Sequence, residues 1–308
     1  MKRQWRAPFA VDVPGVLSVH RRGRGDPAFV TEESGAIWRA CRTPDGPGTL
    51  RVTCTTAAPR GAAQATQVDA QAWGPGAAWL LGALPGMLGE QDRPEDFVPD
   101  HPVLRAVLRR HAAIRIGRSG LVFEALVPAV LEQKVVGMEA ARAWRTLLRR
   151  FGEPAPGPGP AGMRVPPPAA VWASIPSWEW HRAGVEAVRA RTIAGAARVA
   201  SRMEEISTMR PDEADRRLQA LPGTGPWTSA EVRQRACGDA DAVSVGDYHL
   251  PSIVGWALAG RVVDDAGMLE LLAPYQGHRH RAALAASLSG ARPPRRGPRM
   301  SVRDYRAF

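Results

Sequence analysis

The segment LPGTGPWT at residues 221–228 decides the fold of this chain of 308 residues. It lies between two stretches of helical periodicity, PDEADRRLQA and PWTSAEVRQRA. Pro222 ends the first helix, because the residue before a proline resists the helical region. Gly223 and Gly225 permit positive φ angles, and Gly225 followed by Pro226 suits a helix N-terminus. The segment therefore predicts a tight hairpin between two helices.

The hairpin presents bare N–H groups at the start of its second helix, and such groups bind anions. The composition favours a polyanionic partner, since 41 Lys and Arg stand against 30 Asp and Glu, a net charge of +11. Nucleic-acid phosphate is the natural anion for this charge. Two simpler interpretations stay open: an ordinary turn between two helices, and an arginine-rich surface that is merely solvated.

Composition also excludes several classes of protein. At 44% hydrophobic residues the chain can bury a sizeable core, and no apolar run approaches the ~20 residues of a membrane helix. The N-terminal segment lacks the apolar stretch of a signal peptide. Cys41, Cys54 and Cys237 are too few and too scattered for a disulfide framework or an iron–sulfur cluster. We expect a cytoplasmic, nucleoid-associated monomer without membrane contact.

The pattern of periodicity predicts a β-rich N-terminal domain at residues 1–99, an all-α domain at 100–290 and a basic tail at 291–308. In the first domain, short runs at 28–32, 36–43 and 49–56 read as strands, and 67–82 as a strand with a short helix. The turn sequence PDGPG makes 36–56 a hairpin.

Helical periodicity begins near residue 100. It covers 102–112, 121–150, 181–206, 211–220, 226–237, 250–259, 267–272 and 279–289. Residues 153–168 are rich in proline and glycine and predict a surface loop. The fold class is mainly α with an N-terminal β-rich (α+β) domain.

LPGTGPWT resembles the hairpin of the helix-hairpin-helix (Gly/Pro-Asp) superfamily of DNA glycosylases, and within it the 3-methyladenine DNA glycosylase II branch. The resemblance continues in AVSVGDYHL at residues 242–250, and in 130–152 and 275–283. It covers residues 100–290 well and 1–99 weakly. It implies a helix-hairpin-helix glycosylase architecture and double-stranded damaged DNA as the partner.

Asp247 stands where the resemblance places the catalytic aspartate, twenty residues after Trp227. Hydrolysis of an N-glycosidic bond passes through a cationic sugar, which a carboxylate stabilises while it orients the attacking water. Its simpler role is to cap the following helix, and the two roles are compatible.

The resemblance implies a monofunctional glycosylase for alkylated purines of the 3-methyladenine and 7-methylguanine type. Bifunctional relatives use a lysine in the second hairpin helix as an amine nucleophile. Trp227 occupies that place, and Lys2 and Lys134 are the only lysines in the sequence. We expect no cofactor and no metal site, beyond a structural monovalent cation that the hairpin carbonyls could hold.

The expected base pocket contains Trp227 and Tyr248. Trp227 offers an indole face to a cationic base, worth about 0.5–2 kcal/mol, although it could equally pack in the core. The residues expected to contact DNA come from the hairpin, from the segment after Val130 and from the last helix: Gly223, Thr224, Gly225, Thr228, Gln133, Lys134 and Arg279.

Two departures from the pattern leave the lesion open. Lys134 follows Gln133 where relatives often carry an apolar wedge, and Glu231 stands where some carry an aromatic. Lys134 could also be a solvated helix charge. The alternatives are therefore a non-catalytic DNA-binding protein, or a glycosylase for a different purine lesion. Four further tryptophans are predicted to pack in the core or at an interface: Trp144, Trp178, Trp180 and Trp256.

Overall fold

The computed structural model describes residues 1–56 and 66–294. Within them an antiparallel sheet, formed by the first part of the chain, is followed by a helical region that begins at residue 102. No helix in these two ranges is long and apolar enough to cross a membrane. Most of the C-terminal tail, from residue 295 onward, lies outside the described residues.

The N-terminal sheet has five antiparallel strands in the order β1-β5-β4-β3-β2. Strands β1 to β5 are Lys2–Arg6, Phe29–Thr31, Ile37–Thr43, Gly46–Thr56 and Thr66–Trp73. The predicted hairpin of β3 and β4 is confirmed. Its turn is tighter than PDGPG suggests, because Thr43 already pairs with Gly46, whose φ of 115° suits glycine.

One face of the sheet is buried beneath the helices α1 (Val13–Ser18) and α2 (Ala77–Met87). Leu50 and Val52 of β4 are both 1% exposed, as their alternation predicts. The strand and helix predicted within 67–82 are confirmed as β5 and α2. Strand β1 and helix α1 have no counterpart in the sequence-based prediction.

The helical region contains twelve α-helices among the described residues. Helices α3 to α8 are Pro102–Arg110, Val122–Leu131, Gly137–Phe151, Ala169–Ser174, Ser177–Arg182 and Ala187–Arg198. Helices α9 to α14 are Ala200–Glu204, Pro211–Gln219, Pro226–Val232, Leu250–Ala259, Asp265–Leu272 and Arg279–Leu288. A π-helical turn, Arg233–Cys237, extends α11.

Two hydrophobic clusters divide this region into lobes. The first draws on α4, α5, α8, α10 and α11, with Leu126 and Ile193 fully buried. The second combines α3 with α12, α13 and α14, around Leu104 and Val254. Phe97 belongs to the second cluster, and the predicted boundary after residue 99 stays a prediction. The chain passes from the first lobe to the second through residues 238–249, which carry Asp247.

Two stretches that were predicted as long helices are each divided into shorter helices. Residues 121–150 form α4 and α5, separated at 132–136, where Lys134 has a φ of 54°. A left-handed residue breaks an α-helix, so Gln133 and Lys134 lie in a loop and not on one continuous helix at 121–150. Residues 181–206 are likewise divided, with Gly184 at a φ of 77° between α7 and α8.

The prediction of a free surface loop at 153–168, and of an all-α second domain, is also corrected. Strands β6 (Glu153–Pro154) and β7 (Arg164–Val165) pair there. Met163 and Val165 are buried against Trp38 and Ala40 of the N-terminal sheet. Apolar side chains at 163 and 165 draw this proline-rich segment onto the sheet, which outweighs its turn composition.

The tryptophan predictions are confirmed for buried rings. Trp144 and Trp180 are both 4% exposed and stack against Trp172, which lies between them. Trp256 is half-buried. Trp178, in contrast, is 65% exposed, so it is not a core residue.

Candidate active site

The hairpin joins α10 to α11 and has the conformation that its sequence predicts. Gly223 has a φ of 85°, and a Cβ there would lie 2.0 Å from the Thr192 hydroxyl oxygen, so a side chain meets both strain and a clash. Gly225 is the N-cap of α11 with Pro226 in the first turn, as predicted. Its φ of −99° makes no use of the left-handed region.

The hairpin exposes backbone and buries its hydroxyls. Gly223 and Gly225 are exposed, and the N–H groups of Gly225, Trp227 and Thr228 have no acceptor among the described residues. Thr224 and Thr228 are 6% and 2% exposed. Their side chains therefore cannot reach DNA as expected, and only backbone amides of this segment are available.

Gln133 braces the hairpin from the loop between α4 and α5. Its Nε2 donates to the Gly223 carbonyl at 3.0 Å and to the Thr228 hydroxyl at 2.8 Å. Both protons of the amide are thereby used, so the NH₂ group expected on DNA is committed to the protein. Lys134, the next residue, is exposed and is the single non-glycine residue with positive φ in the described chain.

Asp247 is held by three hydrogen-bond donors. Its Oδ1 accepts from the N–H groups of His249 and Leu250, both at 2.8 Å, at the start of α12. Its Oδ2 accepts from the Trp227 indole Nε1 at 3.1 Å. The carboxylate therefore holds the turn that leads into α12, whose N-cap is His249, and is tied to the hairpin helix at the same time, which fixes its orientation between the two lobes.

A cavity of about 170 Å³ opens beside Asp247. Its lining comes from the hairpin helix, the connecting segment, α12 and α14: Glu231, Gln234, Ser244, Asp247, His249, Leu250, Ile253, His280, Ala283, Leu284 and Ser287. No aromatic carbocycle or indole is among them. The cavity therefore offers hydrogen-bonding groups and aliphatic walls.

A hydrogen-bonded chain fixes one wall of this cavity. Gln234 Nε2 donates to the Ser244 hydroxyl at 2.9 Å, and that hydroxyl donates to Glu231 Oε1 at 2.7 Å. Glu231 Oε2 accepts from Arg235 at 2.7 Å, one turn along the helix. The Glu231 carboxylate is thus held in place by a hydroxyl and a guanidinium.

His280 faces the cavity from α14. Burial lowers the pKa of its imidazole to about 4, and the charges of Arg235 and Arg281 act in the same direction. The ring makes no hydrogen bond to any described residue. A neutral imidazole with free nitrogen atoms can donate one hydrogen bond and accept another.

The two residues expected to form the base pocket lie outside this cavity. Trp227 packs against the first hydrophobic cluster and presents its N–H to Asp247. Tyr248 is 82% exposed and contacts the His249 ring edge-to-face. Tyr248 is next to Asp247 in the sequence, but its exposed side chain does not line the cavity.

Arg279 is also committed elsewhere. Its Nε donates to Asp241 Oδ1 at 2.9 Å and its Nη2 to Oδ2. The guanidinium group that was expected to bind phosphate is therefore paired with a carboxylate of the protein. Among other basic clusters, Arg109, Arg110 and Arg149 are exposed, and Arg150 pairs with Glu179. No group of three or more His, Cys, Asp or Glu suitable for a metal ion occurs in the described residues.

Sequence reasoning missed Gln234, Ser244 and His280 as cavity residues. A signal was present for α14, since His280, Ala283, Leu284 and Ser287 recur at the spacing of one helical face. Gln234 and Glu231 are likewise three residues apart on the hairpin helix. Nothing in the sequence tells that these two faces meet.

Solved structures with the same arrangement are DNA glycosylases. The 3-methyladenine DNA glycosylase of Archaeoglobus fulgidus superposes with a TM-score of 0.72 at 17% identity, covering 93% of this chain and 97% of that one. MBOgg1 bound to a low-affinity DNA ligand gives 0.70 at 15% identity, covering 94% and 95%. The chain has the helix-hairpin-helix DNA glycosylase fold.

An 8-oxoguanine glycosylase/lyase of Clostridium acetobutylicum also shares this fold, with a TM-score of 0.70 at 10% identity, over 94% of this chain and 96% of that one. The sequence matches no protein-family model and no curated protein. The helix-hairpin-helix glycosylase fold therefore extends over the sheet as well as the helical lobes, although the sequences have diverged widely.

Proposed function

We propose that the protein is a monofunctional DNA glycosylase that hydrolyses the N-glycosidic bond of alkylated purines, of the 3-methyladenine and 7-methylguanine type, in base excision repair. The observation that carries the proposal is the geometry of Asp247. Its carboxylate is fixed by three donors at the mouth of a cavity, next to a hairpin with unpaired N–H groups.

Asp247 is the catalytic residue of this mechanism. Departure of the base leaves positive charge on the sugar, and a fixed carboxylate close to it stabilises that charge without reorganising. An ionised carboxylate offers about four acceptor positions, and the protein fills three of them in this structure. The remaining position is available to orient the attacking water and to accept its proton.

The target nucleotide must leave the stack before the chemistry can occur. In the proposed complex the amides of Gly223 and Gly225 hold the DNA backbone, and the base enters the cavity beside Asp247. Lys134 stands exposed on a strained loop next to the hairpin brace, and we assign it to the gap left in the duplex. Its methylenes would occupy the space while its ammonium meets phosphate.

We infer that the enzyme leaves an intact abasic site. A lyase step needs an amine at the sugar, and Trp227 stands in the hairpin helix with its indole N–H on Asp247. Incubation with damaged duplex and borohydride should give no covalent adduct. Any covalent adduct would contradict the monofunctional assignment. If the adduct disappears in a Lys134→Ala variant, Lys134 is the nucleophile, and if it survives, another amine is.

Base release from methylated duplex, followed by mass spectrometry, tests the function itself. We expect 3-methyladenine or 7-methylguanine in the soluble fraction. Binding of duplex DNA without release of any base, over a broad panel of lesions, would favour a non-catalytic DNA-binding protein.

A second candidate keeps the chemistry and changes the lesion. The cavity beside Asp247 is lined by Glu231 and His280, and such groups read the N–H edge of a base by hydrogen bonds. This favours a purine recognised by its polar edge, for example a deaminated or ring-modified one. The same mass-spectrometric panel separates it from the leading candidate.

A structural monovalent cation at the hairpin stays part of the proposal. The carbonyl oxygens of Leu221 and Gly223 accept one hydrogen bond each, from Thr224 and Gln133. Each therefore keeps a second lone pair for a cation. Its contribution would be to hold the hairpin in shape, with no part in the reaction.

A further inference from the structure

The segment HRRGRGD at residues 20–26, called here the arginine loop, connects helix α1 to strand β2 of the N-terminal sheet. It leaves the sheet and lies against α5 of the first helical lobe. Gly23, at a φ of 76°, comes so close to this helix that a Cβ there would be 2.8 Å from the Ala141 Cβ. The helical lobe therefore carries a piece of the N-terminal domain on its surface.

A buried carboxylate fixes the shape of the arginine loop. Asp26 is 3% exposed and accepts from the N–H groups of Arg22 at 2.7 Å and Ala28 at 2.9 Å. It also accepts from the Trp144 indole N–H at 2.8 Å, and Arg145 donates to the Arg24 carbonyl at 2.9 Å. The loop is thus tied at several points to α5 and is not a loose connection.

The loop lies beside the segment that braces the hairpin. Arg22 is 8% exposed and lies 3.5 Å from Glu132, the residue before Gln133. Arg235, from the turn that extends the hairpin helix, donates to the Val19 carbonyl at 3.2 Å. Through Arg22 and Glu132, the arginine loop therefore lies beside the segment that carries Gln133 and Lys134.

Two arginines of the loop point outward with no carboxylate to neutralise them. Arg21 and Arg24 are exposed, and neither forms an ion pair with any carboxylate in the described ranges. Lys134 and Arg142 are also exposed, and neither forms an ion pair with a carboxylate in the described ranges. Unpaired guanidinium groups near Gln133 and Lys134 suit phosphate oxygens, which they bind as planar forks.

We propose that Arg21 and Arg24 bind backbone phosphates of the duplex beside the flipped nucleotide, so that the N-terminal domain takes part in holding DNA. This inference rests on the proposed function for the identity of the polyanion. The arginines touch phosphate only, and they contribute affinity without sequence or lesion preference.

The test compares two double variants of the full chain. Arg21→Ala/Arg24→Ala removes the outward cations of the loop. Lys2→Ala/Arg6→Ala removes two exposed cations from β1, at the opposite edge of the same sheet from β2. Affinity for an undamaged duplex is measured over a series of salt concentrations, and thermal unfolding confirms that both variants are folded.

We expect the loop variant to bind about tenfold more weakly at moderate salt, with a slope of log affinity against log salt that is smaller by about 2. The β1 variant should match the unmodified protein in both. Equal affinity and equal slope in the loop variant, or an equal loss in the β1 variant, would overturn the inference.

A measurement of base release separates this inference from the proposed function. If the unmodified protein binds duplex but releases no base, the glycosylase proposal fails and the binding comparison still decides the role of the loop. If base release is present and the loop variant binds like the unmodified protein, only the loop inference fails.

Discussion

The hairpin and the cavity beside Asp247 share the helix α11 and its π-helical extension, yet they are held by different means. The hairpin is fixed by backbone geometry, with Gly223 in a conformation that disfavours a side chain and Gln133 bonded to its carbonyl. The cavity is assembled from side chains on separate elements, such as Glu231, Ser244 and His280. The hairpin backbone and the Asp247 carboxylate are therefore held in place, whereas the side chains that line the cavity can change without moving the chain.

Asp247→Asn should give the largest effect, because Asp247 belongs to both regions. The asparagine oxygen can still accept from the N–H groups of His249 and Leu250, but the negative charge is lost. We expect the rate of base release to fall by about 10²–10³-fold, as for other fixed electrostatic groups. Single-turnover base release measures the loss of rate, and duplex affinity shows whether the variant still binds DNA.

The matched control is Asp212→Asn, which removes an exposed carboxylate from the first turn of α10. It should leave the rate unchanged. A rate in Asp247→Asn equal to that of the control would remove Asp247 from the mechanism and leave it with a structural role only.

Gly223→Ala should give the largest loss of stability in the hairpin. The left-handed φ of 85° and the approach to the Thr192 hydroxyl both act against the added methyl group. We expect the free energy of unfolding to fall by about 2 kcal/mol. Urea unfolding measures it, and Gly225→Ala is the control, because a Cβ at Gly225 meets no atom within 4 Å. Similar losses in the two variants would show that the left-handed conformation of Gly223 does not account for the loss of stability.

The contrast between hairpin and cavity also explains what could be predicted from the sequence. LPGTGPWT is contiguous, and its glycines and prolines restrict the backbone locally, so the hairpin followed from neighbouring residues. Asp247 lies just before a helix, as its sequence context suggests, but the N-cap of that helix is His249. The strands of the first domain followed from alternation in the same way. The fold class is confirmed by the antiparallel sheet and by the solved structures that share it.

The parts that were missed depend on contacts between distant residues. Thr224, Thr228 and Arg279 have the residue types that bind phosphate, but the two threonines are buried and Asp241 pairs with the arginine. Met163 and Val165 pull a proline-rich segment onto the sheet although each is isolated in sequence. Burial and pairing between residues that are distant in sequence determine the surroundings of these side chains, and local periodicity reveals neither.

Gln133→Ala tests whether the brace holds the hairpin. The variant loses the hydrogen bonds to Gly223 and Thr228, for which we expect a destabilisation of about 1–2 kcal/mol and faster exchange of the Thr224 amide. Lys134→Ala is the control from the same loop, since this exposed side chain bonds to no residue in the described ranges. Equal stability in the two variants would mean that the hairpin holds its shape without the brace.

His280→Gln tests the cavity, with an effect that is confined to acid conditions. Burial lowers the pKa of His280 to about 4, below the value of about 6.5 for an unfolded histidine. As the pH falls below about 6.5, the unfolded chain takes up a proton that the folded chain refuses, so the wild-type protein loses stability toward about pH 4. The variant should lose less between about pH 7 and about pH 5 in urea unfolding, while exposed His181→Gln serves as the control. The hairpin variants, in contrast, should shift stability equally at both pH values, because no titrating group takes part in their contacts. A His280 variant with the pH dependence of the wild-type protein would mean that the imidazole is hydrated and that the cavity is open to water on that side.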